Sequence, residues 1–321
     1  MSAATIEHGA ASPLLGHSRP RRAKNGLATV LVSLSFLIAL IPLVWVLWTV
    51  ISKGASTVLH GSWWTSTQRN ITYTDPGGGA LHAIVGTLEQ VGLCTAISVP
   101  LALLVGVYLV EYGGNVFARV TTFMVDILTG IPSIVAGLFI FALAHETFHV
   151  SLSGWLVSLA LVILMVPVIV RATEEILRLV PNELREASYA LGIAKWRTIV
   201  KVVIPTAFSG LITGVVLGIA RVAGETAPLL ILVSLSDSTN GNLFSGAQAA
   251  LPTLIRKQFS DAGQTVTGGG YHLDKNGNRV AGAVTNYAVD RMWGAALTLI
   301  MIILLLTLIA RIVGRFNKLE K

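Results

Sequence analysis

Charge is what this chain lacks. Asp, Glu, Lys and Arg make up 12% of its 321 residues, against about a quarter in an average globular protein, while 53% are hydrophobic and the mean hydropathy is +0.73. A surface so poor in charge cannot be wetted all round, which excludes an ordinary soluble enzyme and makes lipid the solvent for much of the chain. Cysteine is nearly absent too. The single one, Cys94, lies in an apolar run, so there is neither a disulfide framework nor a cysteine metal site. No phosphate-binding loop pattern (Gly, four residues, Gly-Lys-Ser/Thr) occurs, and no paired aspartates, His-Glu-x-x-His or Ser-His set suggests an intramembrane enzyme. His82, His145 and His149 form no metal constellation with nearby acids and read as interfacial. No repeat is evident at periods of about 20–50 residues. The net charge of +7 sits in segments flanking apolar runs, which fits membrane orientation better than nucleic-acid binding.

What is present is apolar length. A crossing helix needs about 20 apolar residues, and six runs qualify: 27–52, free of charge; 83–110, interrupted by Glu89; 121–144, with Asp126 near its start; 150–170; 202–236, holding Arg221 and Glu225; and 292–310. The expected fold is an all-α integral membrane protein with six transmembrane helices. The fifth run exceeds one crossing, yet Thr226–Ser236 is too short to cross alone, so a break is expected near Pro228. The first run is too long for a signal peptide and no small-residue cleavage site follows it. Residues 1–26 read as a disordered tail ahead of a permease domain at 27–313, with a second tail at 314–321. Basic residues concentrate in the N-terminal tail, around Arg119, in 171–201 and in the C-terminal tail, which puts these segments and both termini in the cytoplasm. Trp45, Trp48, Trp63 and Trp64 read as an outer aromatic belt. The outer loop 237–291 is rich in Gly, Asn, Thr and Asp and suggests a hairpin over Tyr271–Val280 around Asn276-Gly277. Asp274, Asn276 and Asn278 do not make a calcium loop, because Arg279 and Thr285 stand where Gly and Glu are required.

The loop 171–201 carries a charged, amphipathic stretch. Leu184, Ala187, Ala190 and Leu191 fall on one helical face, Gly192 stands where a helix C′ residue needs positive φ, and Lys195–Lys201 leads as a second short helix to Pro205. Amphipathicity alone fits any loop helix. The run Glu186-Ala187-Ser188, followed by Gly192 and then Val202-Val203-Ile204-Pro205, is more specific. It resembles the "EAA" loop of ABC importer permeases: Glu-Ala-Ala, three residues, Gly, nine residues, then Ile-x-Leu-Pro. Ser188 replaces the second alanine, and Val202 and Ile204 replace the apolar pair.

A second resemblance is narrower. Ala220-Arg221-Val222-Ala223-Gly224-Glu225-Thr226-Ala227-Pro228 resembles the Arg-x-x-Gly-Glu-Thr-Ala-Pro signature of phosphate-specific ABC importer permeases of the PstA type. Gly86-Thr87-Leu88, Tyr108–Tyr112, Asp126 with Gly130–Gly137, and Val180-Pro181 resemble the same family. The likeness covers roughly 27–235 and 292–313, leaving the outer loop and N-terminal tail aside. It implies a type I ABC importer permease fold with a cytoplasmic coupling helix over about 182–195. It also implies transport of inorganic phosphate across a bacterial plasma membrane and no enzymatic activity in this chain. The partners implied are a PstC-like permease, a PstB-like ATPase dimer and an external phosphate-binding protein. No cofactor belongs to this chain; ATP and Mg would be bound by the ATPase. Glu186, Ala187, Ser188 and Gly192 would couple to that ATPase. Arg221 and Glu225 would line the substrate pathway, with Asp126 and then Glu89 as weaker candidates for it. At i,i+4 in a continuous helix, Arg221 and Glu225 could equally form a structural ion pair. The other readings are a permease for sulfate or molybdate and a stand-alone secondary carrier, neither of which accounts for both motifs.

Overall fold

In the computed structural model, the described residues are 19–263, 271–273, 279–281 and 286–316. The chain divides into two compact units, residues 1–49 and 50–321. The first contains most of helix α1 (Arg19–Val58), whose described side chains over 24–48 are exposed nearly throughout and predominantly apolar. A helix that is apolar all round belongs in a bilayer. It starts at Arg19 rather than after residue 26, because Arg, Ala and Lys are good helix formers and Pro20 falls in the first turn, where no intrahelical N–H is needed. The remainder of the expected disordered tail, residues 1–18, lies outside the described residues.

The second unit is built around α3 (Leu81–Glu111) and α6 (Gly154–Arg178), with α2 (Gly61–Thr65), α4 (Val116–Thr129) and α5 (Ser133–Ile140, continued by a π-turn to Thr147) between α1 and α6 in sequence. After α6 come α7 (Asn182–Ala190), α8 (Lys195–Thr198, continued by a π-turn to Val203), α9 (Ile204–Ala223), α10 (Ala227–Leu232), α11 (Leu251–Ala262), the strands β1 (Tyr271–Leu273) and β2 (Arg279–Ala281), and α12 (Ala288–Phe316). Among the described residues, five helices are long and apolar enough to cross a membrane, and six spans result if the bent pair α4–α5 counts as one. The central helix is α6, with 61% of its most apolar window buried. Leu156, Leu161, Met165 and Ile169 on α6 pack with Cys94 and Ala102 of α3, Val222 of α9 and Leu229 of α10. Glycines allow α9 to lie close along α6: a Cβ at Gly214 would come within 2.7 Å of Ala172 Cβ, and one at Gly218 within 2.8 Å of Ile169 Cγ1.

The structure corrects the expected spans in four places. The third, 121–144, is not one helix: α4 and α5 meet at 107°. Pro132 has no N–H to continue α4 and disfavours helical geometry at Ile131, and Gly130 caps the break. Helix α6 runs on to Arg178 instead of stopping at Val170, its extra turns held by Arg171–Glu174 (i,i+3) and Arg178–Glu174 (i,i+4) pairs. Within 237–291, α11 forms with Pro252 in its first turn, while Thr253 Oγ1 accepts the Ala250 N–H at 3.0 Å. Finally, α12 begins at Ala288, whose N–H donates to Asn286 Oδ1 at 2.9 Å. The hairpin strands do pair, Tyr271 with Ala281 through Leu273 with Arg279. The turn between them and the rejected calcium positions lie outside the described residues. Trp63 is no belt residue: it is buried and donates its Nε1–H to Thr298 Oγ1 at 2.9 Å. His82 is buried as well, rather than interfacial.

Candidate functional site

The expected break in the fifth run falls three residues wide between α9 and α10. Helix α9 stops at Ala223, Gly224 caps it, and the Glu225 N–H donates to the Val222 carbonyl at 3.1 Å. Pro228 lies in the first turn of α10, where its missing N–H costs nothing. Because the helix ends before Glu225, the i,i+4 relation does not hold. Among the described residues, Arg221 and Glu225 make no ion pair with one another, and neither side chain has a hydrogen-bond partner. Arg221 is exposed and Glu225 half-buried. The neighbours that fix this geometry, Val222, Ala223, Pro228 and Leu229, are all buried. Short α10 lies against α5, so closely that a Cβ at Gly137 would stand 3.0 Å from Pro228 Cα. Short α5 and α10, each of which follows a helix break, therefore pack together, and Arg221 lies in the last turn of α9 just before the second break. Discontinuous helices in mid-membrane expose polar backbone only where it lines a cavity or a ligand path.

Asp126 lies elsewhere. Its carboxylate is held by Arg171 of α6, which also reaches Glu174 Oε2 at 2.5 Å; Glu174 in turn meets Arg178 at 3.6 Å. No bond links this ladder to Arg221. Sequence reading had placed Arg171 in a loop and so missed it as the partner of Asp126. Glu89 is similarly engaged: it accepts from Gln248 Nε2, and Gln90 Nε2 donates to Gln248 Oε1 at 2.9 Å.

Two of the proposed coupling residues, Ser188 and Gly192, belong to one closely tied corner. Arg185 of α7 bonds Glu111 at the end of α3 at 2.9 Å, with side chains 13% and 4% exposed. The same guanidinium donates to the Val180 and Leu177 carbonyls at 2.7 and 3.0 Å, satisfying the C-terminus of α6. Lys195 donates to the Glu111 carbonyl and lies 4.6 Å from the Tyr112 ring centre. Ser188 is buried and shares a 2.8 Å hydrogen bond with Thr198, tying α7 to α8. The serine that departs from the alanine of the motif is thus a clasp between the two short helices. Gly192 has φ +72°, and the Gly192 and Ile193 N–H groups donate to the Tyr189 and Ser188 carbonyls at 2.9 and 3.2 Å, a complete Schellman cap. Glu186 and Ala187 point away from this corner and are exposed. So are Leu184, Leu191 and Trp196, the last two by 79% and 58%. An amphipathic helix whose apolar side faces outward, while its arginine faces in, presents a surface to something outside the chain.

Known proteins resemble this chain in sequence and in fold. Residues 98–318 match the family described as "Binding-protein-dependent transport system inner membrane component". A chain of the MetNI methionine ABC transporter, in an inward-facing crystal form, shares the fold with TM-score 0.53 and 20% identity, over 73% of this chain and 94% of that one. The chain belongs to this family of transport permeases; it is an integral membrane transport component and not an enzyme. Within the family its similarity is to phosphate transport system permease proteins. It is 48% identical to PstA 1 of Mycobacterium tuberculosis over 293 residues (91% of this chain, 89% of that protein). The figures are 50% over 283 residues for PstA of Mycobacterium leprae (88% and 86%) and 40% over 238 residues for PstA of Yersinia pestis (74% and 79%). The chain is accordingly a PstA-type phosphate transport permease.

Proposed function

We propose that inorganic phosphate crosses the membrane alongside Arg221, in a complex of this chain with a PstC-like permease, a PstB-like ATPase dimer and an external phosphate-binding protein. The observation that carries this reading is the guanidinium of Arg221, left unpaired at a helix break in a segment apolar enough to cross a bilayer. An unpaired charge within the bilayer costs at least about 2.5–3.5 kcal/mol, and a passing oxyanion offers the planar pair of oxygens that a guanidinium binds best. Glu225, half-buried two residues beyond the helix end, lowers the affinity enough for release. Asp126 contributes through Arg171, which it holds in place nearer the α7 end of α6. Both termini and α7 lie on the cytoplasmic side of a bacterial plasma membrane, where α7 docks by its outward apolar side into a groove of the ATPase. Nucleotide-driven closure of that dimer, with ATP and Mg on the ATPase chains, moves the corner as a unit because Arg185, Ser188 and Lys195 lock it to α3, α6 and α8. Reconstituting the purified complex and measuring ATP-driven uptake of radiolabelled phosphate, sulfate and molybdate tests the reading. Phosphate should be taken up at least tenfold faster than either competitor; preferential uptake of sulfate or molybdate would assign the chain to another oxyanion.

A further inference from the structure

A second cationic site stands at the far end of α10 from Arg221. The segment after α10 turns back, with the Gln248 N–H donating to the Ser234 carbonyl at 2.9 Å, and leads into α11. Between α10 and α11 lies a cavity of about 620 Å³, within the range of small-molecule sites. Its apolar wall includes Leu229 and Val233, and its polar wall includes Ser234, Arg256, Lys257 and Ser260. Lys257 is neutralised by both carboxylate oxygens of Asp237, at 2.6 and 2.7 Å. Arg256 is not: it is exposed and, among the described residues, has no ion pair or hydrogen bond. The hydroxyls of Ser234 and Ser260 are equally free among the described residues. The Asp261 carboxylate also lines the cavity and, among the described residues, has no ion pair. The six residues of α10 span roughly 9 Å, so the helix that begins beside the Arg221 break ends at the wall of this cavity.

We infer that this cavity is an outer receiving site for a tetrahedral oxyanion, with Arg256 as its cation and the Ser234 and Ser260 hydroxyls as further donors, feeding the Arg221 break along α10. The assignment rests on the phosphate reading above and adds a step to it. A guanidinium next to two hydroxyls suits a phosphoryl group, whose oxygens accept from both kinds of donor. Asp261 on the same wall opposes tight binding, as a transfer site requires. A lipid phosphodiester carries the same oxygens, so the test must separate the two sources.

The test uses Arg256→Cys in the complete transport complex. Cys94 is fully buried, which leaves the new thiol as this chain's reactive one. In intact cells a membrane-impermeant, cationic thiosulfonate should label position 256 from outside; in a separate Ser260→Cys variant, which keeps Arg256, millimolar inorganic phosphate should slow labelling severalfold where chloride at equal ionic strength does not. Phosphate uptake by the unlabelled variant should fall about tenfold, and the cationic label should restore part of it, while an anionic label of similar size should not. If the wild-type complex carries no phosphate, the functional reading fails before this one is reached. If the wild type carries phosphate and Arg256→Cys carries it equally well, or if the thiol is inaccessible from outside, the receiving site is refuted. Labelling of Ser260→Cys in nanodiscs that varies with lipid headgroup but not with added phosphate would assign Arg256 to lipid and likewise overturn the proposal.

Discussion

Replacing Arg185 by Met, which keeps the length of the stem and removes the charge, should loosen the corner formed by α7 and α8. The 2.9 Å bond to Glu111 joins two side chains that are 13% and 4% exposed, so the substitution strands a buried carboxylate. Removing one partner of such a pair costs about 3–5 kcal/mol. It also frees the Val180 and Leu177 carbonyls at the end of α6. At about 1.4 kcal/mol per factor of ten, local opening should become roughly a hundredfold to a few thousandfold more frequent. Hydrogen exchange on the intact complex reads this directly, as lost protection of amides in 183–199 with little change in the amides of α6 before residue 170. Glu111→Gln should produce a smaller loss, and the double variant should be milder than the sum of the two, because no unpaired charge remains. ATP hydrolysis should continue while phosphate uptake per ATP falls. Unchanged protection in Arg185→Met, or strict additivity in the double variant, would refute the claim that this pair makes the corner rigid.

Other consequences are narrower. Gly192→Ala should weaken the α7 cap by about 1–2 kcal/mol, the cost of a left-handed backbone for an ordinary residue, since a Cβ there meets nothing within 4 Å; Gly192→Asn should cost less, and comparing uptake per ATP in the two variants checks the order. Asp126→Asn should change uptake by less than about threefold, because Asp126 is 61% exposed and Arg171 keeps Glu174; a loss as large as that from an Arg221 substitution would make Asp126 a direct pathway group. Asp75 accepts the Thr72 N–H and hydroxyl at 2.8 and 2.7 Å, which hold its carboxyl below the ordinary carboxylate value. Its contribution, about 1 kcal/mol, is complete above the unfolded pKa and is lost as pH falls through the lowered folded one. Asp75→Asn should therefore reduce thermal stability at pH 7 and lessen the further loss on acidification below about pH 4; equal acid sensitivity in the two proteins would contradict this.

Much of the fold was legible because membrane crossings declare themselves by apolar length, and because proline and glycine punctuate them. Pro228 marked the break after α9, and Gly192 marked a positive φ that the backbone adopts. Gly130 and Pro132 carried the same signal within 121–144, but apolar composition on both sides concealed a 107° turn. Side-chain partners were another matter. Asp126–Arg171 and Glu111–Arg185 join residues far apart in sequence, and only the packing of α4 and α7 on α3 and α6 decides that they meet. Arg221 and Glu225 show the converse. Their spacing suggested a local pair, and the helix end at Ala223 separated them. The outward apolar side of α7 could not be read either, since amphipathic periodicity fixes a face without saying which way it points.

The most direct measurement is ATP-driven phosphate uptake by the reconstituted complex carrying Arg221→Gln, with Arg221→Lys alongside and co-purification of all partner chains as the control. A guanidinium with no partner among the described residues can be removed without structural cost, so assembly should survive. Uptake should fall at least about tenfold, as expected for loss of a charge-assisted contact to the substrate, with Arg221→Lys intermediate. Wild-type uptake by Arg221→Gln, or loss of the complex in place of loss of transport, would show that the phosphate path does not run past this side chain.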